Sequence, residues 1–232
     1  MRLTLIALLL AGVAGCGTEP ADEPGRSVEE PKLENGNGGE AEPVAKNGGD
    51  DGPESEFEAT LKAAEQGDAK AQFNLGYMYR FGDGVPEDKA EAVKWHRKAA
   101  EQGDDIAQFM LGVMYELGEG VPSDAAEAAK WHLKAAAQGH APAQHKVGVM
   151  YYDGSGVPKD YVEAYAWLSV AATNAINGSK DAKERSQQMK AELTPDQLIA
   201  AEKRIEELTD QIIAAQKRAA ELTEQINANK AK

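Results

Sequence analysis

Four histidines and one cysteine are the side chains of this chain best suited to bind a metal or to act as a nucleophile. His96 and His132 each follow a tryptophan and lie 36 residues apart, so they fill one position of a repeating pattern. His140 and His145 are five residues apart, whereas an i, i+4 spacing would place two imidazoles on one helical face. We therefore predict no metal site.

The sequence also lacks the motifs of known hydrolytic sites. It contains no S-x-x-K, K-T-G, S-D-N or G-x-S-x-G. Gly82-x-Gly84 and its copies do not form a G-x-G-x-x-G phosphate loop after a strand, so we interpret them as turns. The formal net charge of −14 opposes nucleic-acid binding, which needs a basic surface. These observations predict a non-enzymatic protein with no catalytic residue, no cofactor and no nucleic-acid partner.

One stretch of nine residues occurs three times in the middle of the chain. Ala71-Gln-Phe-Asn-Leu-Gly-Tyr-Met-Tyr79 returns in related form at 107–115 and at 143–151, each copy 36 residues after the last. Each copy is followed by Gly-x-Gly-Val-Pro and then by a tryptophan, at Trp95, Trp131 and Trp167. A fixed period of this size predicts a solenoid of stacked helical units.

Each unit is predicted to contain a helix A, a glycine loop and a helix B. Ala71, Leu75 and Met78 lie at i, i+4 and i+7 on one apolar stripe, and Gly82 is suited to end this helix. Helix B carries inward-facing alanines around its tryptophan. A glycine in the middle of each helix A costs roughly 1 kcal/mol relative to alanine, which predicts a close backbone approach between neighbouring helices. These glycines are Gly76, Gly112 and Gly148.

The elements A-x-x-x-L-G-x-M-Y, G-x-G-V-P, A-x-x-W and K-A-A-x-Q-G, taken together, resemble the Sel-1-like repeat, a relative of the tetratricopeptide repeat. The period of 36 favours this family, since tetratricopeptide repeats have 34 residues. The resemblance implies an all-α, right-handed α/α solenoid over 56–200, with full repeats at about 68–103, 104–139 and 140–175 and a long C-terminal helix. It also implies an adaptor that holds protein complexes together.

The first fifteen residues are predicted to be a lipoprotein signal peptide. Met1-Arg2 is a short basic end, and the apolar run that follows it is too short to span a membrane. Val13-Ala-Gly-Cys16 resembles the bacterial lipoprotein box, which implies that Cys16 carries lipid and ties the protein to a membrane. The alternative is a stray cysteine in an ordinary signal peptide. We expect a location in the bacterial cell envelope, with the outer membrane favoured over the inner one because Gly17 follows the cysteine.

Residues 16–55 are predicted to be a disordered, acidic tether. The segment is rich in Gly, Glu, Pro and Asp and has almost no apolar side chains to bury, so it cannot offset the entropy cost of ordering. Its alternative role is to bind a cationic partner or a metal.

A row of side chains on helix A, opposite the apolar stripe, is predicted to bind a protein partner. Aromatic anchors flanked by charge suit protein recognition. The alternative is that Phe73 and Phe109 pack on the neighbouring unit. The predicted face comprises Phe73, Tyr77 and Arg80 in the first repeat, Phe109, Val113 and Glu116 in the second, and His145, Val149 and Tyr152 in the third.

Residues 195–232 are predicted to form one long helix that opens at Thr194-Pro195. Its apolar residues follow heptad positions, which is typical of a coiled-coil seam. Self-association through this seam is one interpretation, and a helix that lies back along the solenoid is the other. The seam residues are Ile205, Leu208, Ile212, Leu222 and Ile226.

The sequence therefore predicts a lipid-anchored adaptor of the bacterial envelope, whose helix-A face binds a protein of unknown identity. Two alternatives stay open. One is an oligomeric envelope scaffold built through the C-terminal helix. The other is an immunity protein that blocks a secreted toxin, as some Sel-1-like lipoproteins resemble such factors.

Overall fold

A computed structural model describes residues 53–174 and 180–230. The predicted signal peptide, Cys16 and most of the predicted tether lie outside these residues. The described part is all-α, without a strand, which confirms the predicted fold class of a helical repeat protein. Its nine helices are α1 Pro53–Glu65, α2 Ala69–Phe81, α3 Lys89–Glu101, α4 Asp105–Leu117, α5 Ala125–Ala137, α6 Ala141–Asp153, α7 Tyr161–Asn174, α8 Lys180–Glu192 and α9 Pro195–Lys230.

Three helix pairs form the repeats, with α2, α4 and α6 as the A helices and α3, α5 and α7 as the B helices. The A helices end as the sequence predicts, at Gly82, Gly118 and Gly154, where φ is 72°, 70° and 74°. This left-handed conformation favours glycine. The first B helix starts at Asp88, whose carboxylate accepts the backbone N–H groups of Ala90 and Glu91. Asp124 and Asp160 do the same in the next two repeats.

The mid-helix glycines make room for one side chain of the B helix in the same repeat. A Cβ on Gly76 would lie 2.8 Å from the ring of His96, and one on Gly112 would lie 2.6 Å from the ring of His132. In the third repeat, the group that approaches Gly148 is Leu168. The prediction of a close backbone approach is therefore corrected, because the space at each glycine is filled mainly by the side chain of the residue after the tryptophan.

Buried glutamines connect each repeat to the one before it. The side-chain N–H of Gln108 on α4 donates to the carbonyl of Ala100 at the end of α3, at 3.0 Å. The side chain of Gln138, just after α5, donates to the Gln108 side-chain oxygen at 2.8 Å. Gln72 and Gln102 repeat this pair of bonds one unit earlier. The bonds from Gln72 and Gln108 are buried and those from Gln102 and Gln138 partly buried, and together they fix how one unit is stacked on the next.

A single helix caps each end of the repeat stack. The first, α1, packs on α2 and buries Ala64, as a B helix would. The second, α8, packs on α7 and buries Ala182, Ser186 and Met189. These three positions have the i, i+4, i+7 spacing of the helix-A stripe, so α8 takes the place of a fourth A helix.

The long helix α9 folds back on the third repeat. It packs on α7 and also touches α5, and it buries Ala201, Leu208 and Ile212. Arg204 on α9 pairs with Glu163 on α7 at 2.6 Å. Of the two arrangements left open by the sequence, the structure therefore shows the helix lying against its own solenoid over this half.

The position of α9 follows from two substitutions on the outer side of the B helices. The first two repeats carry lysines there, and Lys98 and Lys134 lie over the rings of Trp95 and Trp131 at 3.6 and 3.8 Å. The third repeat has Ala166 and Val170 at the positions of Lys130 and Lys134. Both are buried in the cluster that holds Leu208 and Ile212. The outer side of α7 therefore offers α9 an apolar surface, and Ala135 and Ala136 of α5 add to the same cluster.

Candidate functional site

Phe73 and Phe109, two of the aromatic residues predicted to contact a partner, are mainly packing residues. The Phe73 ring lies 5.4 Å from the ring of His96, and Phe109 lies between His132 at 5.2 Å and His140 at 4.9 Å. Both phenylalanines are only partly exposed and pack against the core clusters. The structure therefore favours packing for these two positions, both on the histidine of the same repeat and on the core shared with the next repeat.

An exposed aromatic pair lies at the end of α2. Tyr77 is 47% exposed and Phe81 54% exposed, and their ring centroids are 4.5 Å apart. The guanidinium of Arg80 lies 5.1 Å from the centre of the Phe81 ring. The residue of α4 at the position of Phe81 is Leu117, which is 62% exposed. The sequence analysis included Tyr77 and missed Phe81 and Leu117, although both lie one residue after a predicted contact residue.

The charged members of the predicted face are engaged in ion pairs between repeats. Arg80 pairs with Glu119, in the loop after α4, at 2.7 Å, and only 12% of the Arg80 side chain is exposed. Glu116 on α4 pairs with Lys146 on α6 at 2.6 Å. Arg80 and Glu116 therefore help to connect successive repeats, and their charges are partly used within the chain.

The third repeat places Val149 and Tyr152 beside a cavity instead of on an open surface. The cavity has a volume of about 90 Å³ and lies where α6, α7 and α8 meet. Val113, the equivalent of Val149 in the second repeat, is partly buried. The predicted face thus divides into an exposed aromatic part on α2 and a concave part at α6, with ion pairs between them.

His96 and His132 are fully buried and His140 and His145 are partly buried, and all four have a lowered pKa. Burial, together with the charge of Arg80, lowers the pKa of His96 to about 4. Burial also lowers the pKa of His132 to about 4, although Glu116 opposes the shift. His140 caps the start of α6 by accepting the backbone N–H of Ala143 at its Nδ1, at 3.3 Å. Burial lowers the pKa of His140 and His145 as well.

None of these imidazoles belongs to a metal-binding cluster in the described residues. Over 53–174 and 180–230, no group of three His, Cys, Asp or Glu side chains is arranged to hold a metal ion. In the same ranges, neither ring nitrogen of His96 or His132 has a hydrogen-bond partner. The two rings serve to fill the space above the mid-helix glycines.

The five seam residues of α9 fall into two groups. Ile205, Leu208 and Ile212 pack against the third repeat, and the latter two are buried. Leu222 and Ile226 are 58% and 53% exposed. A seam that uses all five residues is therefore not available to a second chain, because the first three are covered within this one.

No helix of the described part is long and apolar enough to cross a membrane.

Comparison with known proteins places this geometry in a family. Residues 69–104, 105–140 and 141–175 each match the model of the Sel1 repeat. A solved Sel1 repeat protein from Oxalobacter formigenes is 39% identical, with a TM-score of 0.53, over 57% of this chain and 98% of its own. No curated protein matches the chain.

Two further solved structures resemble it. A protective antigen of uropathogenic Escherichia coli that displays an SLR fold is 40% identical, with a TM-score of 0.63 over 74% of this chain. The match spans only 36% of that antigen, so this chain corresponds to about a third of its length. Helicobacter pylori cysteine rich protein B is 23% identical over 59% of this chain and 99% of its own, with a TM-score of 0.46.

Three observations support one family assignment. They are the three consecutive matched repeats, the near-complete coverage of the Oxalobacter relative and the all-α repeat stack. The chain belongs to the Sel1 repeat family.

Proposed function

We propose that this protein is a non-enzymatic adaptor that binds a protein partner through the exposed face of its A helices. Sel1 repeat proteins generally mediate protein–protein interactions and are typically scaffolds without catalytic activity. The observation that carries the proposal is the exposed pair Tyr77 and Phe81, with their rings 4.5 Å apart. Exposed aromatic side chains beside an arginine are typical of the residues that dominate binding energy at interfaces.

The rigid stacking of the repeats supports this role. The buried glutamine bonds and the Arg80–Glu119 and Glu116–Lys146 ion pairs hold adjacent units in a fixed relation. A preorganised surface loses little conformational entropy when it binds, which favours affinity. The proposed surface consists of Tyr77, Phe81 and Leu117, and it excludes Phe73 and Phe109 because those rings are used for packing.

The proposal is tested by affinity capture from a detergent-solubilised envelope of the source cell, with the full-length protein as bait. We expect the Tyr77→Ser/Phe81→Ser variant to lose the captured partner while its far-ultraviolet circular dichroism stays unchanged. Ile199→Ser is the matched control, since Ile199 is 68% exposed on α9. Equal capture by the wild type and the double variant would refute the assigned face, and a toxin as the captured protein would favour the immunity alternative.

We further propose that lipid on Cys16 anchors the adaptor to the cell envelope, with residues 16–55 as its tether. The support is the sequence alone: the apolar run after Arg2 and the Val13-Ala-Gly-Cys16 box. The test is metabolic labelling with a radioactive fatty acid. Label on the wild type and none on Cys16→Ser is the expected result, whereas equal labelling of both, or of neither, would contradict the anchor.

A further inference from the structure

The cavity at the end of the repeat stack has features that the rest of the helix-A face lacks. It is enclosed by α6, α7 and α8, and its apolar walls are formed by Val149, Leu168 and Met189. In the first two repeats, a phenylalanine packs on a histidine ring. His145 and Leu168 stand at those two positions in the third repeat, so ring-on-ring packing does not occur there.

The size of the cavity restricts what it can hold. Its volume of about 90 Å³ corresponds to roughly three water molecules. Pockets for cofactors and drug-sized ligands are about 300–1,000 Å³. The cavity therefore fits a single aliphatic side chain and is too small for a cofactor.

One end of the cavity is cationic. Arg185 on α8 is part of its lining, and it forms no ion pair with any residue in the described ranges. Burial lowers the pKa of His145, and the charges of Arg185 and Lys146 add to that shift, while Asp181, one turn before Arg185 on α8, opposes it. Because Lys146 is already paired with Glu116 at 2.6 Å, Arg185 is the basic side chain of this lining that is left for a partner.

The carboxylate of Glu192 lines the same cavity, but it follows Arg185 by seven residues. This spacing puts the two positions on one face of α8, about 10 Å apart along the helix. A partner with a carboxylate at the Arg185 end and none at the Glu192 end would pair with Arg185 and avoid repulsion by Glu192. The cavity therefore has opposite charges at its two ends, which would orient a bound segment.

We infer that this cavity is the anchor site of the adaptor, taking one aliphatic side chain from a partner segment whose neighbouring carboxylate pairs with Arg185. The partner chemistry is an acidic protein segment with an exposed Leu, Ile, Val or Met. A buried anchor in a small pocket with a charged pair at its edge is the arrangement that concentrates binding energy at interfaces. The inference rests on the proposed function and adds the chemistry of the partner to it.

The experiment is selection of a random twelve-residue phage-displayed library on the full-length protein, followed by fluorescence polarisation with the enriched peptides. We expect the enriched peptides to share an aliphatic residue next to Asp or Glu. Arg185→Ala should weaken binding about tenfold or more, as for loss of a charge-assisted hydrogen bond. Lys183→Ala is the matched control, because it removes an exposed α8 cation that does not line the cavity, and binding should stay within twofold of the wild type.

A second variant tests the apolar part of the site. Val149→Phe is expected to fill the cavity and to weaken binding at least tenfold, and Val149→Leu is a milder version that tolerates the fold better. Failure to enrich any peptide, enrichment of basic peptides, or equal effects of Arg185→Ala and Lys183→Ala would overturn the inference. Those results would leave the proposed function standing if Tyr77→Ser/Phe81→Ser still abolished partner capture, so the two failures can be told apart.

Discussion

His96 and His132 are polar groups used as core-filling residues. Each ring sits over a mid-helix glycine at less than 3 Å from where a Cβ would be, and each side chain is completely buried. Glycine at this position costs roughly 1 kcal/mol of helix propensity, and the ring contacts offset that cost. Because the buried rings must stay neutral, the two positions make the stability of the fold depend on pH.

Acidification is expected to destabilise the protein through these two histidines. Their pKa is about 4 in the folded state against 6.5 in the unfolded chain, so the unfolded chain binds more protons between these values. The free energy of unfolding is therefore highest above pH 6.5 and falls as the pH drops to 4, by on the order of 3 kcal/mol for each histidine. Urea denaturation at pH 7 and at pH 5 measures the effect.

The chain itself supplies the control for this prediction. Leu168 takes the place of the histidine opposite Gly148 in the third repeat. The His96→Leu/His132→Leu variant is therefore expected to fold and to lose most of the stability difference between the two pH values. An unchanged pH dependence in this variant would contradict the assignment of the effect to His96 and His132.

Much of the residue-scale pattern could be predicted from the sequence. The apolar stripe of helix A and the terminal Gly82 follow from periodicity and from the left-handed conformation that glycine allows. The exposure of Phe73 and Phe109 could not be predicted in this way. A helical pattern shows which side chains lie opposite the apolar stripe of helix A. It does not show that the histidine of the following helix B covers those side chains.

At the scale of the elements, two side chains on α7 determine where α9 lies. Ala166 and Val170 replace the lysines of the earlier repeats, and Arg204 adds an ion pair with Glu163. The near-duplicate segments 203–212 and 217–226 of α9 look alike in sequence, yet only the first meets an apolar surface. Heptad spacing alone therefore could not distinguish packing on the solenoid from a coiled coil. The loss of two lysines from the third repeat was the signal in the sequence that α9 packs on the solenoid.

Restoring the lysines should release α9 from the solenoid. We expect Ala166→Lys/Val170→Lys to expose Leu208 and Ile212, each of which contributes about 1.5–3 kcal/mol when fully buried. Hydrogen exchange monitored by mass spectrometry should then show loss of protection over 197–216, with α2 to α5 unaffected. Ile213→Lys is the control, because Ile213 is 57% exposed on the same helix. Full protection of 197–216 in the double variant would contradict the account of how α9 is held.

At the scale of the whole molecule, the exposed end of α9 is the feature that favours self-association. Leu222 and Ile226 continue the stripe of Leu208 and Ile212 past the last contact with the solenoid. Two heptads with an alanine at position 219 offer little apolar area, and stable interfaces bury about 1,200 Å² or more. We therefore expect the full-length protein to be monomeric at micromolar concentration.

Sedimentation velocity in detergent decides this point. A single monomeric species would favour the adaptor over the oligomeric scaffold. A dimer that dissociates in the Leu222→Lys/Ile226→Lys variant would instead support the scaffold. Ile199→Lys serves as the control for a general effect of added charge, since it lies at the other end of the same helix.

The central claim is that a protein partner contacts the exposed aromatic end of α2. The most direct measurement is crosslinking in the living source cell, with a photoreactive phenylalanine analogue placed at position 81 and, in a separate strain, at position 199. The account predicts one discrete crosslinked species from position 81, identifiable by mass spectrometry, and none of that species from position 199. No crosslink at position 81, or the same species from both positions, would contradict it.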